Sequence, residues 1–466
     1  MAVDELHKAL AELDQLEVQE RHLVARLFEI RKAIEAQKLK IDDLGPPAIN
    51  RLPTELLLQI FTLCIQDPKY PEKPLHRIVG VSRRWRDVVW NNASFWTSIK
   101  VTPIQSKKSL KKQLKRSRKA FLDIWIEDWD YSRQYHAHDK LRALLAAIFL
   151  HANRWRSLTI DSDSMPMEFV ESILTELNHL SVTSLREFSM VIWDDIDEQS
   201  GVPYPDFLSP TRTPALQHLA LKQSFPLDTF MALPTLKTLH LNFEKADHSP
   251  PVISMLTPAQ SLISLVLKGD STGWSLKRND LRLPLLEDLT LCLDRPVPFL
   301  EALVAPKLRY VQCRFYDPVE FNTIRGKFGD VYDLTLEFWC GVDNRSAQSL
   351  CRAFPGVRQV ELLARDAPFF MAGMGHGSAG VLERRPPIDQ WLNLETVTLY
   401  GVGLPLLEHW ELDDPIVKWL RGRQELGLSR LGVRLLQNEG DGDRLPSYYA
   451  LVLGRFCNLE IFTSPM

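Results

Sequence analysis

The chain has 466 residues, 25% of them charged and 45% hydrophobic, with a formal net charge of −3. This balance supplies apolar material for one large core or two smaller ones, and it provides no global field toward nucleic acid or an anionic membrane. Six cysteines (Cys64, Cys292, Cys313, Cys340, Cys351, Cys457) stand far apart with no CxxC pair, which argues against a disulfide framework or a zinc site and for buried, reduced thiols.

The first residues, MAVDELHKALAELD, carry acids early and have no uninterrupted apolar stretch, unlike a secretory signal. The longest apolar-rich run, Leu141–Leu150, contains Arg142 and falls short of the ~18 apolar residues needed to cross a bilayer. The expectation is a soluble intracellular protein, cytoplasmic and/or nuclear, with no membrane and no nucleic acid among its partners.

Residues 1–44 carry a heptad. Leu6, Leu13, Glu20, Leu27, Ile34 and Ile41 fall on one seam position, and Ala9, Leu16, Leu23, Ile30 and Gln37 on the other. A 3-4 alternation of this kind puts a narrow apolar stripe on one side of a helix. A lone helix cannot bury that stripe, so it pairs in a homodimeric coiled coil or folds back on the body of the chain. Gly45-Pro46-Pro47 ends the helix.

Residues 48–98 have another texture. Ile49 to Leu56 reads as a loop entering a short helix, with Pro53 set for the first turn. Leu56, Leu57, Ile60, Phe61 and Cys64 follow at helical spacing, with Cys64 read as a packed thiol. A polar insertion, Gln66–Pro74, breaks the pattern before a second helical stretch from Leu75 to about Trp90. The ordered set Leu52-Pro53-x-Glu55-Leu56, Ile60-Phe61, Val81-Ser82-Arg83-Arg84-Trp85-Arg86 and Phe95-Trp96 resembles the F-box motif, in the expanded form of mushroom-forming fungi. That resemblance implies a small all-α module that binds a Skp-type adaptor and, through it, a cullin. It implies adaptor-binding roles for Leu52, Pro53, Leu56, Ile60 and Phe61, with Val81 and Trp85 at the same site mostly as support for the box. The bland alternative is a small helical domain whose apolar residues serve only its own core.

Residues 99–150 read as a linker and cap. Within them Lys107–Lys119 holds eight basic residues and no acid, and Leu110 and Leu114 stand four apart. An amphipathic helix is the favoured reading, with nuclear import a compatible role.

Residues 151–466 repeat. P-x-L-x-x-L-x-L occurs at Pro214–Leu221, Pro234–Leu241 and Pro284–Leu291. Weaker copies are centred on Leu158-Ile160, Phe188-Met190, Leu265-Leu267, Val311-Cys313, Leu334-Leu336, Val360-Leu362 and Val397-Leu399. Steps of 20 to 37 residues between copies, with helical spacing in return segments such as Met167–Leu177, Pro298–Val304 and Ser346–Phe354, predict a leucine-rich-repeat solenoid with a curved parallel sheet. The fold class is therefore α/β, with a coiled-coil helix and an F-box before the repeats. An ordinary α/β domain of irregular spacing is the alternative. Outward residues between the leucines are candidates for gripping a protein substrate, and His218, His240, Tyr310 and Glu361 are singled out.

No signature of catalysis or of a cofactor emerges. Gly375–Gly380 matches G-x-G-x-x-G but sits in a Gly-rich insertion rather than between a strand and a helix. His136, His138 and Asp139 have metal-ligand types but no second cluster. No nucleophile–base–orienter set appears. The function expected is a non-enzymatic substrate-recognition subunit of a Skp–cullin–F-box ubiquitin ligase, with no cofactor and no metal. The alternative is an interaction scaffold outside any ligase.

Overall fold

A computed structural model describes residues 2–43, 49, 52–66, 74–129, 137–161, 165–191, 205–222, 233–243, 252–372, 385–401, 414–438 and 447–464. The chain divides into two compact units, Met1–Phe95 and Trp96–Met466.

The first unit opens with helix α1 (Ala2–Asp43), a stretch free of glycine and proline and rich in Ala, Leu, Glu and Lys. Every described side chain from Glu5 to Ile41 is exposed. Three shorter helices follow: α2 (Thr54–Gln66), α3 (Pro74–Val81) and α4 (Arg83–Asn91). Ser82 starts α4 as its N-cap, the hydroxyl accepting from the backbone N–H of Trp85 at 3.1 Å. A 3-10 turn, Ala93–Trp96, closes the segment. Most of the polar insertion, 67–73, lies outside the described residues.

The second unit is built on a parallel sheet of fourteen strands among the described residues, hydrogen-bonded in chain order. They are β1 (Ser98–Val101), β2 (Leu122–Ile126), β3 (Trp155–Asp161), β4 (Glu187–Val191), β5 (His218–Lys222), β6 (Thr238–Phe243) and β7 (Ser264–Gly269). The second half is β8 (Asp288–Leu293), β9 (Tyr310–Phe315), β10 (Asp333–Phe338), β11 (Gln359–Leu363), β12 (Thr396–Tyr400), β13 (Gly432–Asn438) and β14 (Asn458–Ser464). All neighbours run parallel and nearly in register, so Leu219, Leu239, Leu265, Leu289, Val311 and Leu334 form one inward row.

The proline of the strongest repeats has a local job. Thr213, Leu233, Leu283 and Ala305 each precede a proline, and each backbone carbonyl accepts from the N–H of the leucine three residues on. Proline fixes φ at the second position of such a turn, which aims the following strand at its neighbour. The step into each strand is then clamped twice. The N–H groups of Lys237 and Thr238 both reach the carbonyl of Gln217, those of Ile263 and Ser264 that of Lys237, and those of Glu287 and Asp288 that of Ile263.

Inward residues pack under return segments that are partly helical, including Met167–Asn178, Pro296–Ala302 and Asn344–Ala353. One continuous core runs from Ile99 to Cys457. Its far edge carries an aromatic row in which Phe315 stacks on Phe338 at 5.0 Å, and Phe370 links Phe338 to Trp391 at 6.2 Å on either side. Every repeat copy read from the sequence lands on a strand.

Two expectations need correction, the start of the sheet and the burial of every cysteine. The sheet starts at Ser98 rather than at residue 151, because β1 and β2 pair within the segment read as linker and cap. The basic run does form a helix, Lys107–Arg116, with Leu110 and Leu114 buried. Two cysteines, Cys64 and Cys340, are exposed while the other four are buried, and all six are free. The G-x-G-x-x-G run lies outside the described residues, as does His136, and no cluster of metal-ligating residues occurs among the described residues. Among the described residues no helix is long and apolar enough to cross a membrane.

Candidate functional site

Helix α2 is apolar on two faces, and the two have different fates. Leu57 and Phe61 are buried, Phe61 at 1% exposure, and join Ile78 of α3 and Val89 of α4 in the interior of the small helical module. The Phe61 ring lies 4.8 Å from that of Trp85. On the other face Leu56 and Leu63 are 44% and 68% exposed, with Ile60 half-buried between them. Positions 56, 60 and 63 are spaced i, i+4, i+7, so the three form one stripe. Pro53, also exposed, precedes the stripe at the start of the helix.

The turn ahead of α2 is held from below. The Arg84 guanidinium donates to the carbonyl of Leu52 at 2.5 Å, and Arg86 donates to the carbonyl of Val79 at 3.2 Å. Arg84 and Arg86, two of the three arginines in the Val81–Arg86 run, therefore brace α4 against the turn ahead of α2 and against α3. The guanidinium of Arg86 also sits 5.8 Å over the Trp90 ring.

Measured against the sequence, Leu52, Pro53, Leu56 and Ile60 lie at or near the surface where an adaptor can reach them. Phe61 does not; it is an interior residue. Val81, expected to support the box, is 61% exposed, whereas Trp85 does support it. Leu63 completes the exposed stripe and was missed. Cys64, expected to be packed, faces solvent.

The second candidate surface is the outward face of the sheet. His218 and Tyr310 stand at the first position of β5 and β9, and His240 and Glu361 at the third position of β6 and β11. The structure does not gather these four into one site. At about 4.8 Å per strand, roughly 24 Å separates His240 from Glu361.

Two groupings do form. His240 lies between Ala220 and Val266, with Lys222 and Lys268 one outward position farther along β5 and β7; burial, with these two charges adding to it, lowers the imidazole to about 4. Farther along, Tyr310 Oη lies 3.4 Å from both Gln312 Oε1 and Thr335 Oγ1, and Thr335 in turn donates to Glu361 Oε2 at 3.2 Å. Burial raises the Tyr310 hydroxyl and the carboxyls of Asp288 and Asp333, with Glu361 adding to the effect on Asp333. Outward charge is thus segregated, basic across β5–β7 and acidic across β8–β11. Among the acids Glu337 is neutralised by Arg314 at 2.5 Å.

No curated protein matches the chain. Residues 49–102 match the family model described as F-box-like, so the helical module carrying the Leu56–Leu63 stripe is an F-box-like domain.

Proposed function

We propose that the chain is the substrate-recognition subunit of a Skp–cullin–F-box ubiquitin ligase. The observation that carries this reading is the unpartnered apolar stripe of Leu56, Ile60 and Leu63, on the helix that opens an F-box-like domain. An F-box-like domain suggests a Skp-type adaptor as its partner, and a stripe braced from behind by Phe61 and Trp85 offers that adaptor a rigid apolar ridge. The adaptor in turn engages the cullin.

In this reading the parallel sheet, stacked in chain order, is a leucine-rich-repeat-like solenoid of the kind found in the expanded fungal family, and its outward face holds the substrate protein. Its segregated charge favours a substrate segment of the opposite polarity. The chain performs no covalent step. It fixes a substrate lysine near a charged conjugating enzyme, which turns an encounter into an effectively intramolecular reaction. A homodimer through residues 1–44 adds avidity for substrates with repeated motifs.

Co-purification with the adaptor tests the reading. The wild-type chain is expected to bring the adaptor down, and Leu52→Ala/Pro53→Ala to lose it. Failure of the wild type to do so, or undiminished capture by the double variant, removes the ligase and leaves an interaction scaffold.

A further inference from the structure

The charges of α1 distinguish between the two ways in which its stripe can meet a second copy. Both seam rows are exposed along the described helix, and the seam is interrupted at Glu20 and Gln37. Residues 5–20 hold five carboxylates and one lysine, a net charge of −4; residues 21–41 hold six basic residues and two carboxylates, a net charge of +4. A parallel pair sets like halves side by side, and an antiparallel pair sets opposite halves side by side.

The flanking positions agree. In a parallel pair each residue just before a seam leucine meets the partner residue five places on. Glu12 then faces the partner's Glu17 and Arg26 faces the partner's Arg31, each contact occurring twice by symmetry, while Glu20 meets the partner's Glu20 inside the seam. These are like-charge contacts, and they disfavour the arrangement. In the antiparallel register that overlaps the whole heptad, Leu13 packs with the partner's Ile30 and Leu27 with the partner's Leu16. Glu20 then lies beside the partner's Leu23, and Glu5 comes alongside the partner's Lys40.

We propose that α1 forms an antiparallel two-helix coiled coil with a second copy of this chain. The inference rests on the dimer reading above and adds its direction. At 1.5 Å per residue the helix is about 60 Å long, so the two F-box-like domains leave the coiled coil from opposite ends.

Cysteine cross-linking on the full chain tests this, in a Cys64→Ser/Cys340→Ser background that removes the two exposed native thiols. Light scattering is expected to give twice the monomer mass. Under mild oxidation Leu16→Cys alone and Leu27→Cys alone are each expected to yield at least tenfold less cross-linked dimer than an equimolar mixture of the two. If a seam cysteine weakens the dimer, Gln19→Cys mixed with Arg26→Cys probes the same direction from the flank. Efficient self-cross-linking of either single variant overturns the antiparallel direction while the dimer stands. A monomer at micromolar concentration overturns the dimer and its direction together. A dimer that cross-links in no combination places the contact elsewhere and also overturns the proposal.

Discussion

The rings of Phe61 and Trp85 lie 4.8 Å apart, centroid to centroid, with their planes tilted by 53°. This pair joins α2 to α4 and fixes which face of α2 is left for a partner. Phe61→Ala is expected to destabilise the F-box-like domain by about 3–5 kcal/mol, the cost of emptying a buried aromatic site. A double-mutant cycle with Trp85→Ala should return a coupling of about 0.5–1.5 kcal/mol. Leu56→Ser/Leu63→Ser should behave oppositely, with a denaturation midpoint near that of the wild type and adaptor binding weakened at least tenfold. Equal effects of both variants on folding and on binding would refute the division of α2 into an inner and an outer face.

Gly356 stands where its missing side chain matters. A Cβ there would overlap the carbonyl oxygen of Gly329, a backbone atom on the neighbouring return segment. Gly356→Ala should destabilise the Trp96–Met466 unit by about 2 kcal/mol or more, since backbone cannot swing aside as a side chain can. Gly422, inside the helix Pro415–Glu425, has open space around it. Gly422→Ala should therefore stabilise by about 0.5–1 kcal/mol through helix propensity. Thermal melts of both variants give the signs directly.

Asp366 is a buried acid at 1% exposure, and burial pushes its carboxyl up to about 6 despite Arg365 at 4.0 Å. Its folded value lies above that of the unfolded chain, so folding favours the protonated form. Stability from this group is present at low pH and is lost as pH rises from about 4 through about 6. Chemical denaturation of wild type and Asp366→Asn at pH 4 and pH 7.5 should show the variant gaining on the wild type at the higher pH, on the order of 2 kcal/mol. An unchanged difference between the two pH values would show that the carboxyl titrates normally.

The outward face should separate substrate from adaptor. Asp333→Lys/Glu361→Lys reverses the acidic stretch around Thr335 without touching the inward leucines. Under proteasome inhibition this variant should retain the adaptor and lose several-fold of the other proteins captured by the wild type, most strongly at low salt. Unaltered capture would move substrate recognition off this part of the sheet.

The sequence exposed some of this arrangement well and hid the rest for identifiable reasons. The leucines of Pro214–Leu221, Pro234–Leu241 and Pro284–Leu291 were legible because proline, turn and alternation all recur together. β1, β2, β13 and β14 lack that proline signal, and Trp125 and Leu436 put large apolar groups at outward positions, which blurs the alternation. On α2 nearly every position from Leu56 to Ile65 is apolar, so periodicity could not tell Phe61, which faces inward, from Leu63, which faces out. The segregation of outward charge was invisible because it depends on which residues of distant repeats share a row.

Within the fourteen-stranded sheet each strand after the first is hydrogen-bonded to the strand before it, and the order never doubles back. A sheet threaded this way has no single keystone whose removal releases every strand at once. Drawn from its C-terminal edge, β14 can peel from β13 and leave the remaining ladder intact, so tension is expected to shed the strands one after another in a staircase of small extensions rather than in one rupture.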